Sequence, residues 1–379
     1  MGVSDEVQLV MVSDPGQDLD DEMAVLVLRS LVAQGAVEPL CVIANLAPSP
    51  ARARLLRGTL DALGLEDVAV GVGSDGGTQT HADTFSDLAR EYMPDEGRER
   101  SIGPGDDVLR AAFERAPPKS ITLLCISSLK DAATFFERDR RLFLDKIRVA
   151  VIMGGVAPRA RDDAPLEPDA AANNAFDFDS ARFFYRELQL ARVPMVVVGR
   201  AAAYACPLPR SVYDDLLATD SPIAARLHRA QRRTIHQLWI RARAPPGAPE
   251  RAGLPPRCDR VWFSKTFCGG ADLDDDDNDI WSFVQNFNMY DPIALVACHP
   301  HLRREFFRPK YLEIYGTTHT LIGVEDDSHG INDVPRLRDF LTYHVRRGLR
   351  YSSCHDDGAP LTSPDRPRLW HTPIDVSPR

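Results

Sequence analysis

Short runs of apolar, mostly β-branched residues recur through the first 200 positions of the chain, at 7–12, 39–45, 67–73, 120–126, 147–153 and 194–199. Between them lie stretches with helical spacing, near 21–34, 51–64, 105–116, 129–143 and 180–191. Strands that are apolar on both faces and alternate with helices belong in a parallel sheet covered on both sides. The pattern therefore predicts an α/β fold, Rossmann-like and doubly wound, with a mainly parallel sheet and helices on both faces. From 201 to 290 the alternation loosens. An arginine-rich helical stretch near 221–243 leads into Pro245, Pro246 and Pro249, then into Gly269-Gly270 and an acidic loop, Asp272 to Asp279. The irregular part, 201–280, is expected to cover the sheet end without forming a separate domain. A helix after Asp291-Pro292, a strand at 311–316 and a helix near 334–348 complete one domain over 1–350, and 351–379 reads as a loosely packed tail rich in Pro, Asp and Ser.

Composition narrows the partners. Lys and Arg number 45 against 55 for Asp and Glu, a net charge of −10 that disfavours generic nucleic-acid or anionic-membrane binding. No run of about 18 apolar residues exists to span a membrane. The opening Met-Gly-Val-Ser-Asp-Glu has no basic stretch followed by a long apolar one, so no secretory signal is expected. Seven cysteines without a CxxC pair read as buried free thiols of a reducing, cytoplasmic setting.

The candidate chemistry is concentrated at one strand end. Asp14, Asp18, Asp20 and Asp21 fall within eight positions, directly after the first strand and directly before a helix. Carboxylates so close repel one another and must be protonated, hydrated or bridged by a cation. The helix N-terminus favours anions at Asp20 and Asp21, and an all-oxygen set without Cys or His suits calcium or magnesium better than zinc. A turn at Asp-Pro-Gly followed by helix capping is the competing reading. Position favours the first, because ligands in open α/β sheets bind beyond the carboxyl ends of the strands.

Asp14-Pro15-Gly16 with Asp18-Leu19-Asp20-Asp21 resembles the N-terminal signature of the inosine/uridine-preferring nucleoside hydrolases, with two extra residues before the Asp-Asp pair. Further resemblances follow in family order. Asn45 ends the second strand, where the family contacts ribose. Leu129-Lys130-Asp131-Ala132-Ala133 resembles a Leu-Thr-Asn-x-Ala turn. Met153-Gly154-Gly155 resembles a strand end that substrate approaches, and Asn173-Asn174 resembles a ribose-gripping segment. Tyr290-Asp291-Pro292 resembles a metal-binding Asp-Pro. Three positions depart from the family: Lys130 stands where the family has a Thr, Ala172 where a Glu is usual, and Tyr290 where purine-accepting members carry a His that protonates the leaving base.

The resemblance implies the nucleoside hydrolase fold, a homo-dimer or homo-tetramer, and calcium-dependent hydrolysis of the N-glycosidic bond of a ribonucleoside, with magnesium the second choice of ion. The metal ligands it implies are Asp14, Asp21, Asp291 and the Lys130 backbone carbonyl, with Asp18 able to exchange places with Asp20. Asp14 is implied as general base, Tyr290 and the loop residue His81 as further catalytic candidates, and Asp20, Asn45, Met153, Asn173 and Asn174 as substrate contacts. Smaller readings accompany these. Asp179 caps a helix, Ser127 and Ser128 cap another, and Arg226 to Arg243 form an exposed basic helix face. Another N-ribosyl substrate, a non-catalytic nucleoside- or metal-binding protein, and a magnesium phosphohydrolase remain as alternatives; the last lacks an Asp-x-Asp nucleophile pair and a P-loop.

Overall fold

The computed structural model describes residues 6–16, 19–77, 89, 91–94, 102–161, 163–251, 254–274, 279–324 and 328–350. Its strands are β1 (Val7–Ser13), β2 (Val37–Ala44), β3 (Ala69–Val72), β4 (Ile102–Pro104), β5 (Ile121–Cys125), β6 (Ile147–Met153), β7 (Met195–Val198), β8 (Leu208–Pro209), β9 (Asn286–Phe287), β10 (Lys310–Ile314) and β11 (Thr317–Ile322). Nine of them form one sheet in the order β10-β11-β7-β6-β5-β1-β2-β3-β4, while β8 and β9 pair separately. Every pairing in the large sheet is parallel except that of β10 with β11.

Side-chain alternation along β1 shows why its run is apolar throughout. Leu9 and Met11 enter the core layer on one face of the sheet, and Val10 and Val12 enter the layer on the other. The chain winds from β1 outward through β2, β3 and β4, then crosses back to place β5 on the other side of β1. The ends of β1 and β5 thus frame the point where the winding reverses, the crevice in which such sheets bind ligands.

The doubly wound sheet agrees with the sequence pattern, and four local features do not. The stretch 311–316 was expected to be one strand, but the chain reverses at Tyr315 and Gly316, both at positive φ (52° and 76°), as a two-residue hairpin turn requires. The helix expected over 129–143 breaks at Asp139 into Lys130–Arg138 and Arg140–Lys146. The irregular region holds, besides the expected helix at Pro222–Arg243, the helices Arg200–Ala205, Ser211–Leu217 and Arg260–Phe267. Arg226, expected on an exposed face, is fully buried and ion-paired with buried Glu22 of the helix Asp20–Ala33. A guanidinium is drawn inside there because a buried carboxylate requires a cation. The tail 351–379 lies outside the described residues.

Candidate functional site

β1 delivers Asp14 to the crevice, and the turn through Gly16, at φ 118°, feeds the helix Asp20–Ala33. Buried Arg52, on the helix Ser49–Ala62, holds this turn from beneath by donating to the carbonyls of Asp14 (2.8 Å) and Pro15 (2.9 Å). Its residue type gave no sign of this role in the sequence. Asp20 and Asp21 occupy the first helical turn, and the helix Tyr290–Cys298 brings in Asp291. One carboxylate oxygen from each of Asp20, Asp21 and Asp291 lies within 4.8 Å of the others, and all three side chains are buried. The Tyr290 amide donates to Asp20 Oδ2 at 3.1 Å, which couples the two helix N-termini.

Asp21 is the most constrained member. Its Oδ1 accepts from Ser13 Oγ (2.6 Å) and from the Asp14 amide (2.9 Å). Burial pushes its carboxyl well above the usual carboxylate range, and the charges of Asp14, Asp20 and Glu22 push it further, against the Ser13 hydrogen bond. A proton or a cation relieves that crowding. Asp14, expected as a ligand, lies beside the group but is not a member of it, whereas Asp20, expected on the ribose, is a member. Asp291 sits one residue inside its helix, behind Met289 at the N-cap. Asp18 and His81 lie outside the described residues.

The neighbouring strand ends are laced together by Asn45. Its Nδ2 donates to the Ser128 carbonyl (3.0 Å) and to Asp131 Oδ2 (2.8 Å), and its Oδ1 accepts from Ser127 Oγ. Asp131 also accepts from the Ser74 amide (2.7 Å) and hydroxyl (2.8 Å), which fixes the loop after β3. The Ser127 hydroxyl donates to Asn45 and not to a helix start, whereas the Ser128 hydroxyl donates to the Gly76 carbonyl (2.8 Å) and accepts from the Lys130 amide at 3.4 Å, at the start of the helix Lys130–Arg138. Lys130 opens its helix, and its ammonium pairs with Asp75 at 2.8 Å.

Beyond β6, Asn173 Nδ2 donates to the Met153 carbonyl at 3.0 Å. Buried Asn174 donates to the Gly155 carbonyl and to Asp169 Oδ1, both at 3.2 Å, and its Oδ1 is buried with no hydrogen-bond partner among the described residues. Asp169 is an acid that sequence reading missed. It comes back to Asn174 from five positions earlier, and a Cβ at Gly155 would stand 2.2 Å from its Oδ2. Only glycine allows that approach. Asp177, not Asp179, caps the following helix by accepting from the Ser180 amide at 3.0 Å. The cap falls there because the short helix Ala172–Phe176 ends just before it and leaves Asp177 with non-helical backbone (φ −141°, ψ 86°).

A cavity of about 160 Å³ opens beside Asp20, with Tyr213, Gln231, Trp262, Phe287 and Tyr290 among its walls. Phe287 lines it, and Trp281 packs on Phe287 with ring centroids 5.7 Å apart. Tyr290 stands edge-on to Tyr204 with ring centroids 6.3 Å apart.

No protein-family model matches the sequence, and no curated protein does. Solved structures do match. The type III effector protein XopQ, complexed with adenosine diphosphate ribose, aligns with a TM-score of 0.72 at 24% identity over 91% of this chain and 93% of that one. The effector protein XOO4466 aligns with a TM-score of 0.72 at 25% identity, over 91% and 94%. A plant nucleoside hydrolase aligns with a TM-score of 0.56 at 16% identity, over 90% and 99%. The chain has the nucleoside hydrolase fold. In this version of the nucleoside hydrolase fold the buried carboxylates can hold one divalent ion, because their donors are hard oxygens set on two converging helix starts. Among the described residues no helix is long and apolar enough to cross a membrane.

Proposed function

We propose that the chain is a divalent-cation-dependent hydrolase of N-ribosyl bonds, acting on a ribonucleoside or another N-ribosyl compound, with calcium as its ion. The observation that supports this most is the buried Asp20, Asp21 and Asp291 group at the crevice between β1 and β5. Calcium suits carboxylates on irregular geometry better than magnesium, which demands a near-ideal octahedron. When bound, the cation offsets the crowded negative charge and acidifies a water.

The chain's own groups divide the remaining work. Asp20, Asp21 and Asp291 hold the ion, and Asp14 takes the proton of the attacking water on its carboxylate. Asn174 accepts a ribose hydroxyl at its buried Oδ1, with Asp169 setting its orientation. Asn45 shapes the crevice through the loops it ties together. As the C–N bond breaks, the ribose becomes oxocarbenium-like and the surrounding carboxylates stabilise its charge. Tyr290 stands on the leaving-group side of Asp20. Its phenol is a weaker acid than imidazolium at neutral pH, so the enzyme favours bases that depart without full protonation.

A second reading comes from the XopQ complex, in which a neighbour of this fold holds adenosine diphosphate ribose. Here the site would bind a ribosyl nucleotide without cleaving it. The deciding experiment measures ribose release from purine and pyrimidine ribonucleosides, with calcium and with chelator, beside calorimetric titration of adenosine diphosphate ribose. Chelator-sensitive ribose release is expected. No release from any nucleoside, together with tight binding of the nucleotide, would replace the hydrolase with the binding protein.

A further inference from the structure

The acidic turn at the crevice carries a third acid that lies outside the ligand group. Glu22 follows Asp20 and Asp21 directly on the first turn of the helix Asp20–Ala33, and it is 1% exposed. Its charge reaches Asp21, where it adds to the crowding from Asp14 and Asp20. Among the described residues Arg226 is the only cation paired with it, and that guanidinium is fully buried. A guanidinium keeps its proton in proteins, so the pair is a neutral unit beside the ion-binding turn.

Folding alone does not account for such a pair. Glu22 Oε2 and Arg226 Nε and Nη2 are buried without a hydrogen-bond partner among the described residues. Packed hydrocarbon of the same volume commonly matches or exceeds the stability of a buried ion pair, the more so when the pair is incompletely satisfied. Arg226 also comes from the helix Pro222–Arg243, in the region expected only to cover the sheet end. Thr234 and Leu238, in the same four-residue row as Arg226, line the cavity beside Asp20. One helix thus supplies both a wall of the cavity and a positive charge next to the acidic turn.

We propose, building on the ion site of the N-ribosyl hydrolase reading, that the Glu22–Arg226 pair sets the affinity of that site for its divalent cation. Glu22 places a negative charge beside the ligands Asp20, Asp21 and Asp291, and Arg226 cancels it. Neither residue is a ligand, and each acts on the ion through its field. A unit charge within roughly 10 Å of a divalent ion, at an effective dielectric constant of about 20, changes affinity by more than about tenfold. Loss of either partner therefore moves the affinity in the direction of the charge left behind. Loss of a mere tie between two helices would weaken ion binding in both cases.

The test measures the calcium dissociation constant of the full chain by calorimetric titration at fixed ionic strength, with circular dichroism of each variant. Glu22→Gln leaves the Arg226 charge unanswered and is expected to weaken calcium binding by more than about tenfold. Adding Arg226→Met to that variant removes the stray cation and is expected to bring the constant back to within about threefold of the wild type. Arg226→Met alone is expected to bind calcium at least as tightly as the wild type. A double variant that binds no better than Glu22→Gln would overturn the assignment, as would weaker binding by folded Arg226→Met, which decides by itself should Glu22→Gln not fold. Calcium binding in the expected pattern without ribose release from any nucleoside would sink the hydrolase and leave the pair its role. Absence of calcium and magnesium binding in the wild type would sink both.

Discussion

The two ends of the helix Asp20–Ala33 are built on opposite principles. Its first turn buries three consecutive acids, Asp20, Asp21 and Glu22, with Asp14 and Asp291 close by. Its later turns pack against the helix Val334–Arg350 so tightly that a Cβ at Gly348 would stand 1.9 Å from the Leu26 carbonyl oxygen. There Ser30 Oγ and His344 Nδ1 share a hydrogen bond of 2.8 Å. The difference shows how a crowded anionic turn can persist. The helix N-terminus offsets only about 0.3–1 kcal/mol per charge, and the buried ion pair of Glu22 with Arg226 answers one acid. Close packing of the rest of the helix then keeps the turn from moving away from its own repulsion.

Removing one charge from the crowded end breaks that balance most sharply. Asp21→Asn keeps the shape of the side chain and its acceptor for Ser13, but deletes the carboxylate that burial and three neighbouring acids already disfavour. Loss of outer-shell partners alone costs metal sites 10–100-fold, so ribose release in calcium is expected to fall by at least about a hundredfold. In chelator the variant is expected to melt at a higher temperature than the wild type, because function and stability compete at this turn. A lower melting temperature in chelator would show that the acids are not in conflict. At the packed end the expectation reverses. Gly348→Ala forces the two helices apart at a backbone atom and should cost about 1–3 kcal/mol, the range for overpacking. Its thermal shift on adding calcium should remain, and loss of that shift would mean that the two ends are coupled.

The same contrast explains what could be read without coordinates. β1 was legible because a strand buried on both faces is apolar without interruption, and the acids after it were legible because they are adjacent in sequence. Asp291 came from a short Asp-Pro pattern far along the chain. Arg226 was not legible, since a helix with many arginines looks solvated and only the partner Glu22, 204 positions away, draws this one inside. The hairpin β10–β11 was obscured by Thr317-Thr318-His319-Thr320, a polar run in which His319 is nevertheless fully buried. The cavity draws Tyr213, Gln231, Trp262 and Phe287 from separate elements, so no spacing could announce it. Asp169 was missed because the acid was sought two residues before Asn174, while a turn returns one from five residues before.

Acid offers the finest probe, because the two ends of the helix answer a proton with opposite signs. Burial lowers His344 from 6.5 to about 4, and the charge of Arg347 adds to this. The unfolded chain therefore takes up the proton first. Stability is complete above pH 6.5 and is lost as pH falls toward 4, by up to about 3 kcal/mol for this group. His319 titrates in the same sense, also lowered to about 4 by burial. Asp21 runs the other way in chelator. Its raised carboxyl makes the folded state bind the proton more tightly, so its contribution is present at low pH and lost as pH rises through the folded value. Urea titrations at pH 7.5 and pH 5 should show a loss in the wild type that His344→Gln reduces but does not remove, since His319 remains. An equal loss in both proteins would free His344 of any part in it. With calcium bound the acid-induced loss should be steeper than in chelator, because protons then compete with the ion at the carboxylates that, without it, they would stabilise.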